Sequence, residues 1–237
     1  PIIKISRQKI TPNNTNKAVQ FDFVENGAFD GGEGGSRKND VEAQRVVDIC
    51  IQHVENSPNK TLGVIAFSRS QEIAIRDALI DALKTKPHLQ EWLDENSDKP
   101  DAFFIKNLES VQGDERDVIF LSIGYGKDKR KGQVFQRFGP INSSHGYRRL
   151  NVAVTRAKEK VVCVSSMHAS DIRNVESSRG AFLLQKYLEY AERGITALDG
   201  SRLIQASSIN IAADSPFEEE VEQALQKRGY TIHRQVG

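Results

Sequence analysis

The chain has 237 residues, with 33 Lys and Arg against 32 Asp and Glu, for a formal net charge of +1. That balance excludes a globally basic nucleic-acid-coating protein, so any surface for a polyanion must be local. Two cysteines, Cys50 and Cys163, are too few for a disulfide framework or a zinc site, and no apolar run approaches the length of a membrane span. Both cysteines lie in apolar surroundings and are expected to be reduced core residues of a cytoplasmic protein. The chain opens at Pro1, has Met167 as its only methionine and stops at Val236-Gly237. It is therefore expected to be a piece of a longer protein.

Ile2-Ile3-Lys4-Ile5 and Val19 to Phe23 are apolar or alternating and predict short strands, joined by the turn-rich Thr11 to Asn16. Gly27 to Lys38 holds Gly31, Gly32, Gly34 and Gly35 but lacks the Gly-Lys-Ser/Thr ending of a phosphate-binding loop, so a surface loop is expected. Asn39 with Glu42 signals a capped helix with an apolar face of Val41, Ala43, Val46, Val47, Ile49 and Cys50. Leu62 to Phe67 is a nearly continuous apolar run, as in a parallel strand covered on both faces. Ser68 to Gln71 opens a helix to Lys84, and a polar loop at that end of a parallel strand is a usual ligand position. Pro87 to Pro100 predicts a helical insertion around Leu89, Trp92 and Leu93.

Phe103 to Leu108 and Val118 to Ile123 predict two more buried strands. Between them lies the polar loop Glu109-Ser110-Val111-Gln112-Gly113-Asp114-Glu115-Arg116-Asp117. Gly124 to Gly132 is expected to be a charged loop, either simply solvated or one in which Lys127, Lys129, Arg130 and Lys131 grip a nucleic-acid backbone while Tyr125 stacks a base. Leu150, Ala153, Val154 and Ala157 fall on one helical stripe, with Arg149 and Arg156 on its flank and Asn151, Thr155 and Lys158 opposite. Glu159-Lys160 is expected to break that helix before a strand from Val161. A rigidly held guanidinium suits a phosphate, because its planar fork donates bidentately and stays charged. Ala181 to Ala191 predicts an apolar helix stopped at Gly194. Thr196 to Ala213 is small and polar, a candidate linker. Ser215, Pro216 and Glu218 form a capping box that starts a further helix, and Tyr230 to His233 starts a strand.

The string Arg149-Leu150-Asn151-Val152-Ala153-Val154-Thr155-Arg156-Ala157-Lys158 resembles motif VI of superfamily 1 helicases. Gln112-Gly113-Asp114-Glu115-Arg116-Asp117 resembles motif V, and Ser68 to Gln71 resembles motif IV. Asn39-Asp40-Val41-Glu42-Ala43 resembles the segment before motif IV in the RNA-surveillance/Dna2-like branch. Phe138-Gly139-Pro140-Ile141-Asn142 and Leu188-Glu189-Tyr190-Ala191 resemble stretches of one bacterial group of these helicases. Ser215 onward resembles the entrance to a very-short-patch-repair-like endonuclease domain, with Glu218 where a metal-holding glutamate would stand.

The resemblance implies an α/β fold of the RecA-like, P-loop NTPase type, with a mostly parallel sheet and helices on both faces. It implies a second RecA-like domain over residues 1–200, a linker over 201–214, and a truncated helix and strand of an endonuclease-like domain over 215–237. Arg156 would be the finger that reaches the γ-phosphate of ATP. Gln71, Gly113, Glu115 and Arg149 would face the nucleotide, with Glu115 on the ribose. Asn107, Gln112, Tyr125, Asn151 and Thr155 would face a single nucleic-acid strand, DNA favoured over RNA. Asn107 departs from the Ser or Thr common at its place. The implied cofactors are ATP and Mg2+, with the metal ligands mostly on a first RecA-like domain outside this chain. The piece alone would be inactive. Two other readings stay open: an ATP-dependent clamp that does not separate strands, and a motor subordinate to a C-terminal nuclease.

Overall fold

The computed structural model describes residues 18–173 and 175–198. The expected strand at Ile2 to Ile5, the linker over 201–214, and the helix and strand over 215–237 with Glu218 all lie outside the described residues.

The strands are β1 (Val19–Phe23), β2 (Ala28–Phe29), β3 (Leu62–Ala66), β4 (Phe104–Asn107), β5 (Arg116–Asp128) and β6 (Ala157–Ser166). They form one sheet of order β1-β6-β5-β3-β4, with β2 paired to the far end of β5. Every pairing between these strands is parallel. The helices are α1 (Asp40–Asn56), α2 (Arg69–Leu83), α3 (Pro87–Asn96), α4 (Gly146–Val154) and α5 (Arg179–Arg193). Parallel neighbours require crossovers, and α2 with α3 and then α4 lie on two of them. No helix among the described residues is long and apolar enough to cross a membrane.

The apolar strand runs follow from burial on both faces. Along β5, Ile119, Leu121 and Ile123 join Val161 and Cys163 in a core that includes Leu150 of α4 and Leu184 of α5. The alternate residues Val118 and Phe120 join Val64, Val162 and Val164 in a second core with α1, α2 and α3. The sheet is thus the middle of three layers, as the fold class expected. Cys50 and Cys163 are free and buried, one in each core.

Gly63 in β3 is required by close approach. A Cβ there would lie 2.5 Å from Cζ of Phe104 and 2.9 Å from Cδ1 of Ile119. Gly63→Ala is expected to cost about 1–3 kcal/mol through overpacking. Chemical denaturation of the chain checks this, and an unchanged midpoint would show that Phe104 yields freely.

Two stretches differ most from expectation, and Ala28–Phe29 forms a short strand inside the expected surface loop Gly27 to Lys38. The strand expected to stop at Ile123 continues to Asp128, because β2 pairs with its end (Ala28 with Lys127, Phe29 with Asp128). The helix expected to reach Lys158 stops at Val154, and β6 begins at Ala157, before Glu159 and Lys160. Pairing of Arg116 with Ala157 draws that segment into the sheet.

Candidate functional site

Asn107 ends β4, and β5 begins at Arg116 on the far side of β3. The connecting loop therefore passes from one end of the sheet to the other. Leu108 and Val111 anchor it in the core shared with α4. Gly113 takes a φ of 91°, a left-handed turn that suits glycine, and nothing lies within 4 Å of where its Cβ would be. Arg116 is buried and ties down the end of the loop. Its Nε and Nη2 donate to the Ala102 carbonyl, and Nη1 donates to the Glu115 carbonyl at 2.8 Å. Asp117 accepts from the backbone N–H and hydroxyl of Thr61, both at 2.9 Å, which fixes the start of β5 against the loop before β3.

The flank of α4 runs beside this loop. Arg149 Nη2 lies 3.7 Å from Glu109 Oε1, and Arg156 Nη1 lies 3.9 Å from Glu115 Oε1. Arg149 also donates to the Ser143 hydroxyl at 2.9 Å. Arg156 is folded back over the end of its own helix. Its Nε donates to the Val152 carbonyl at 2.9 Å and its Nη2 to the Thr155 hydroxyl at 3.1 Å. A cation there is favoured by the unpaired carbonyls of the helix C-terminus. The contact to Glu115 is long and half-exposed, so it holds Arg156 only weakly. Next to it a shallow hollow of about 540 Å3 is lined by Pro100, Asp101, Gly113, Asp114, Glu115, Arg116 and Lys158.

Gly113, Glu115, Arg156 and Arg149 therefore stand along one flank, with Gln112 exposed beside them and Asn151 half-buried on α4. An exposed carboxylate beside a glycine turn and two guanidiniums can take sugar hydroxyls and phosphate oxygens. No group of three or more His, Cys, Asp or Glu placed to hold a metal occurs among the described residues.

Four expected ligand residues are placed otherwise. Tyr125 is buried, packed edge-on to Phe29 at 5.2 Å and Phe138 at 5.4 Å, so it presents no face to a base. Gln71 is fully buried near the other end of the sheet; its amide accepts from Asn39 N and donates to the Asn39 carbonyl and the Ser122 hydroxyl. Asn107 is buried and turned inward, donating to Glu72 at 2.6 Å and accepting from Glu109 N. The Thr155 hydroxyl donates to carbonyls of its own helix, at Asn151 and Val152. Gln71 and Asn107 meet distant partners that the sequence does not reveal, Thr155 bonds within its own helix, and Tyr125 is enclosed by ring packing.

Glu42 is the residue that pattern reading undervalues. Asn39 caps α1 by accepting from Glu42 N, but the Glu42 carboxylate does not return to the cap. It is fully buried, with Oε1 accepting from the Ser122 hydroxyl at 2.8 Å and Gly124 N at 2.6 Å. Its Oε2 accepts from Ser166 N at 3.1 Å and the Ser166 hydroxyl at 2.9 Å. Burial pushes its pKa up from 4.5 to about 7, against the opposing pull of those donors. The cluster fastens α1 to the second half of β5 and the end of β6.

Comparison with known proteins supplies the class. Residues 3–168 match the model of the AAA domain family AAA_12, and the chain belongs to that family. It is 37% identical over 166 residues, 67% of this chain and 14% of the relative, to an "Uncharacterized ATP-dependent helicase" of Mycoplasma genitalium. It is 26% identical over 161 residues, 68% of this chain and 10% of the relative, to an Arabidopsis thaliana protein named DNA replication ATP-dependent helicase/nuclease. The chain thus spans only 14% and 10% of the lengths of these relatives. A solved C-terminal domain of a possible DNA helicase from Lactobacillus plantarum aligns at a TM-score of 0.38 with 16% identity, covering 69% of this chain and 78% of that one.

Proposed function

We propose that this chain is the second motor domain of an ATP-dependent superfamily 1 helicase of the RNA-surveillance/Dna2-like branch, acting on a single strand, DNA before RNA. The observation that carries the reading is the meeting of Glu115, on its glycine turn, with Arg156 at the end of α4. ATP would lie against that edge, its phosphates neutralised by Mg2+ held mainly by a first domain. Glu115 would accept from the ribose hydroxyls. Arg156 would leave the end of α4 and donate to the γ-phosphate, where charge must be stabilised as the phosphoryl group transfers. The similarity to proteins named ATP-dependent helicases supports this. No Gly-Lys-Ser/Thr phosphate loop occurs in the sequence, so hydrolysis would require the other domain and this chain alone would be inactive. Residues 215–237 would begin an endonuclease-like domain.

In the longer protein, Glu115→Ala is expected to raise the KM for ATP roughly fivefold with little change in kcat, the loss of one hydrogen bond worth about 1 kcal/mol. Strand-stimulated ATP hydrolysis measures it. An unchanged KM would remove Glu115 from the nucleotide.

A further inference from the structure

The end of the sheet away from Arg156 carries a feature that the nucleotide site does not use. Two loops meet there. One runs from Phe29 to Lys38, the other from Lys127 to Gly132. The parallel pairing of β2 with β5 and a bond from Lys129 N to the Phe29 carbonyl at 3.0 Å join them. Each loop is braced from within by one aspartate. Asp30 accepts from the backbone N–H and hydroxyl of Ser36, at 2.8 and 2.9 Å, and those bonds hold its carboxyl below the usual range. Asp128 accepts from the backbone N–H groups of Arg130 and Lys131.

The braces turn the two carboxylates onto backbone and hydroxyl donors, with Arg130 near enough to help hold both below the usual carboxylate range, and the two loops carry six cations against Asp30, Glu33 and Asp128. Arg37, Lys127, Arg130 and Lys131 are exposed and make no ion pair among the described residues, while Lys38 and Lys129 share Asp40 at 3.0 and 3.9 Å. Arg130 reaches toward the first loop, with Nη1 3.7 Å from where a Cβ on Gly32 would be. Arg37 has a φ of 56°, in the left-handed region, and its N–H donates to the Asp30 carbonyl at 2.8 Å. β5 has 13 residues, so this ridge stands up to roughly 40 Å from the Arg156 edge. In a chain of net charge +1, such local clustering is what a polyanion would meet.

We propose that these two loops form a cradle for the phosphodiester backbone of a single nucleic-acid strand. The proposal deepens the strand-binding part of the function above and rests on it. The contacts are with phosphates and not with base edges, because the side chains offered are cations and the nearby rings are packed inside or covered. Tyr125 is buried, and Lys131 lies over Phe135 at 5.4 Å. Binding is therefore expected to be indifferent to sequence and steeply dependent on salt.

The test uses the 237-residue chain and a labelled oligothymidylate of about 20 nucleotides, followed by fluorescence anisotropy between about 50 and 200 mM salt. The variant replaces Arg37, Lys127, Arg130 and Lys131 with Ala. A charge-matched control replaces Lys60, Lys84, Lys86 and Lys99 with Ala. The cradle variant is expected to bind at least about tenfold more weakly, and the slope of log affinity against log salt to fall by about 3, from lost phosphate contacts at about 0.7 each. The control is expected to stay within about threefold of the unaltered chain. Circular dichroism checks that both variants fold. Equal losses in variant and control, or no loss in the variant, overturn the cradle and leave the nucleotide reading standing. Failure of the unaltered chain to bind the strand overturns the cradle and the strand-binding reading together.

Discussion

Arg156→Ala in the longer protein is expected to lower strand-stimulated ATP hydrolysis by roughly 10³–10⁵, the range an arginine finger supplies. Strand affinity is expected to stay within about threefold, since Arg156 stands at the other end of β5 from the basic ridge. Arg156→Lys is expected to fail nearly as badly, because one ammonium cannot reproduce a planar fork. The folded domain should tolerate both changes. Among the described residues the Arg156 guanidinium bonds to the carbonyl of Val152 and the hydroxyl of Thr155, with Glu115 at 3.9 Å. Its loss leaves no buried charge without a partner. ATP turnover and anisotropy on the same preparation separate the two effects. Near-normal turnover in Arg156→Ala would refute the finger.

Glu42→Ala is expected to destabilise the chain by roughly 3–5 kcal/mol, from two unpaired N–H groups at about 1–3 kcal/mol each and a new cavity. The N–H groups of Gly124 and Ser166 lose their acceptor, and so do the hydroxyls of Ser122 and Ser166, which unlike the N–H groups can rotate. The native chain should also show a pH signature. The folded pKa of Glu42 is raised from 4.5 to about 7 by burial, so the folded state holds this proton more tightly than the unfolded state. Stability from this group is full below about pH 4.5 and is lost as pH rises through about 7. Thermal melts from acid to neutral pH should show that decline. It should vanish in Glu42→Gln, which has its own constant cost because its amide NH2 must face either Gly124 N or Ser166 N. A decline that persists in Glu42→Gln would assign it to another group.

The layered sheet is readable from the chain because burial on both faces shows as apolar runs at Leu62 to Phe67 and Val118 to Ile123. Leu150 and Ala153 likewise announce the buried side of α4. The meeting of Glu115 with Arg156 is legible only through motif likeness, since nothing local says that these two segments will be neighbours. Tyr125, Gln71 and Asn107 are misread for one physical reason. A polar or aromatic side chain beside a glycine or a strand end looks available until its partner is known, and their partners come from distant segments. Glu42 reads as half of a capping box for the same reason. Its donors, from Ser122, Gly124 and Ser166, arrive only when β5 and β6 assemble. The one signal for it is the Asn39 to Ala43 likeness, which helix capping explains as well.

That Arg156 exchanges the end of its own helix for a phosphate is tested most directly by a structure of the longer protein with ADP and a planar phosphoryl mimic bound between its two motor domains. The Arg156 guanidinium is expected within about 3 Å of the mimic's oxygens or their equivalents, released from Val152 and Thr155. A guanidinium still bonded to those two residues, with the mimic held by other groups, would contradict the finger.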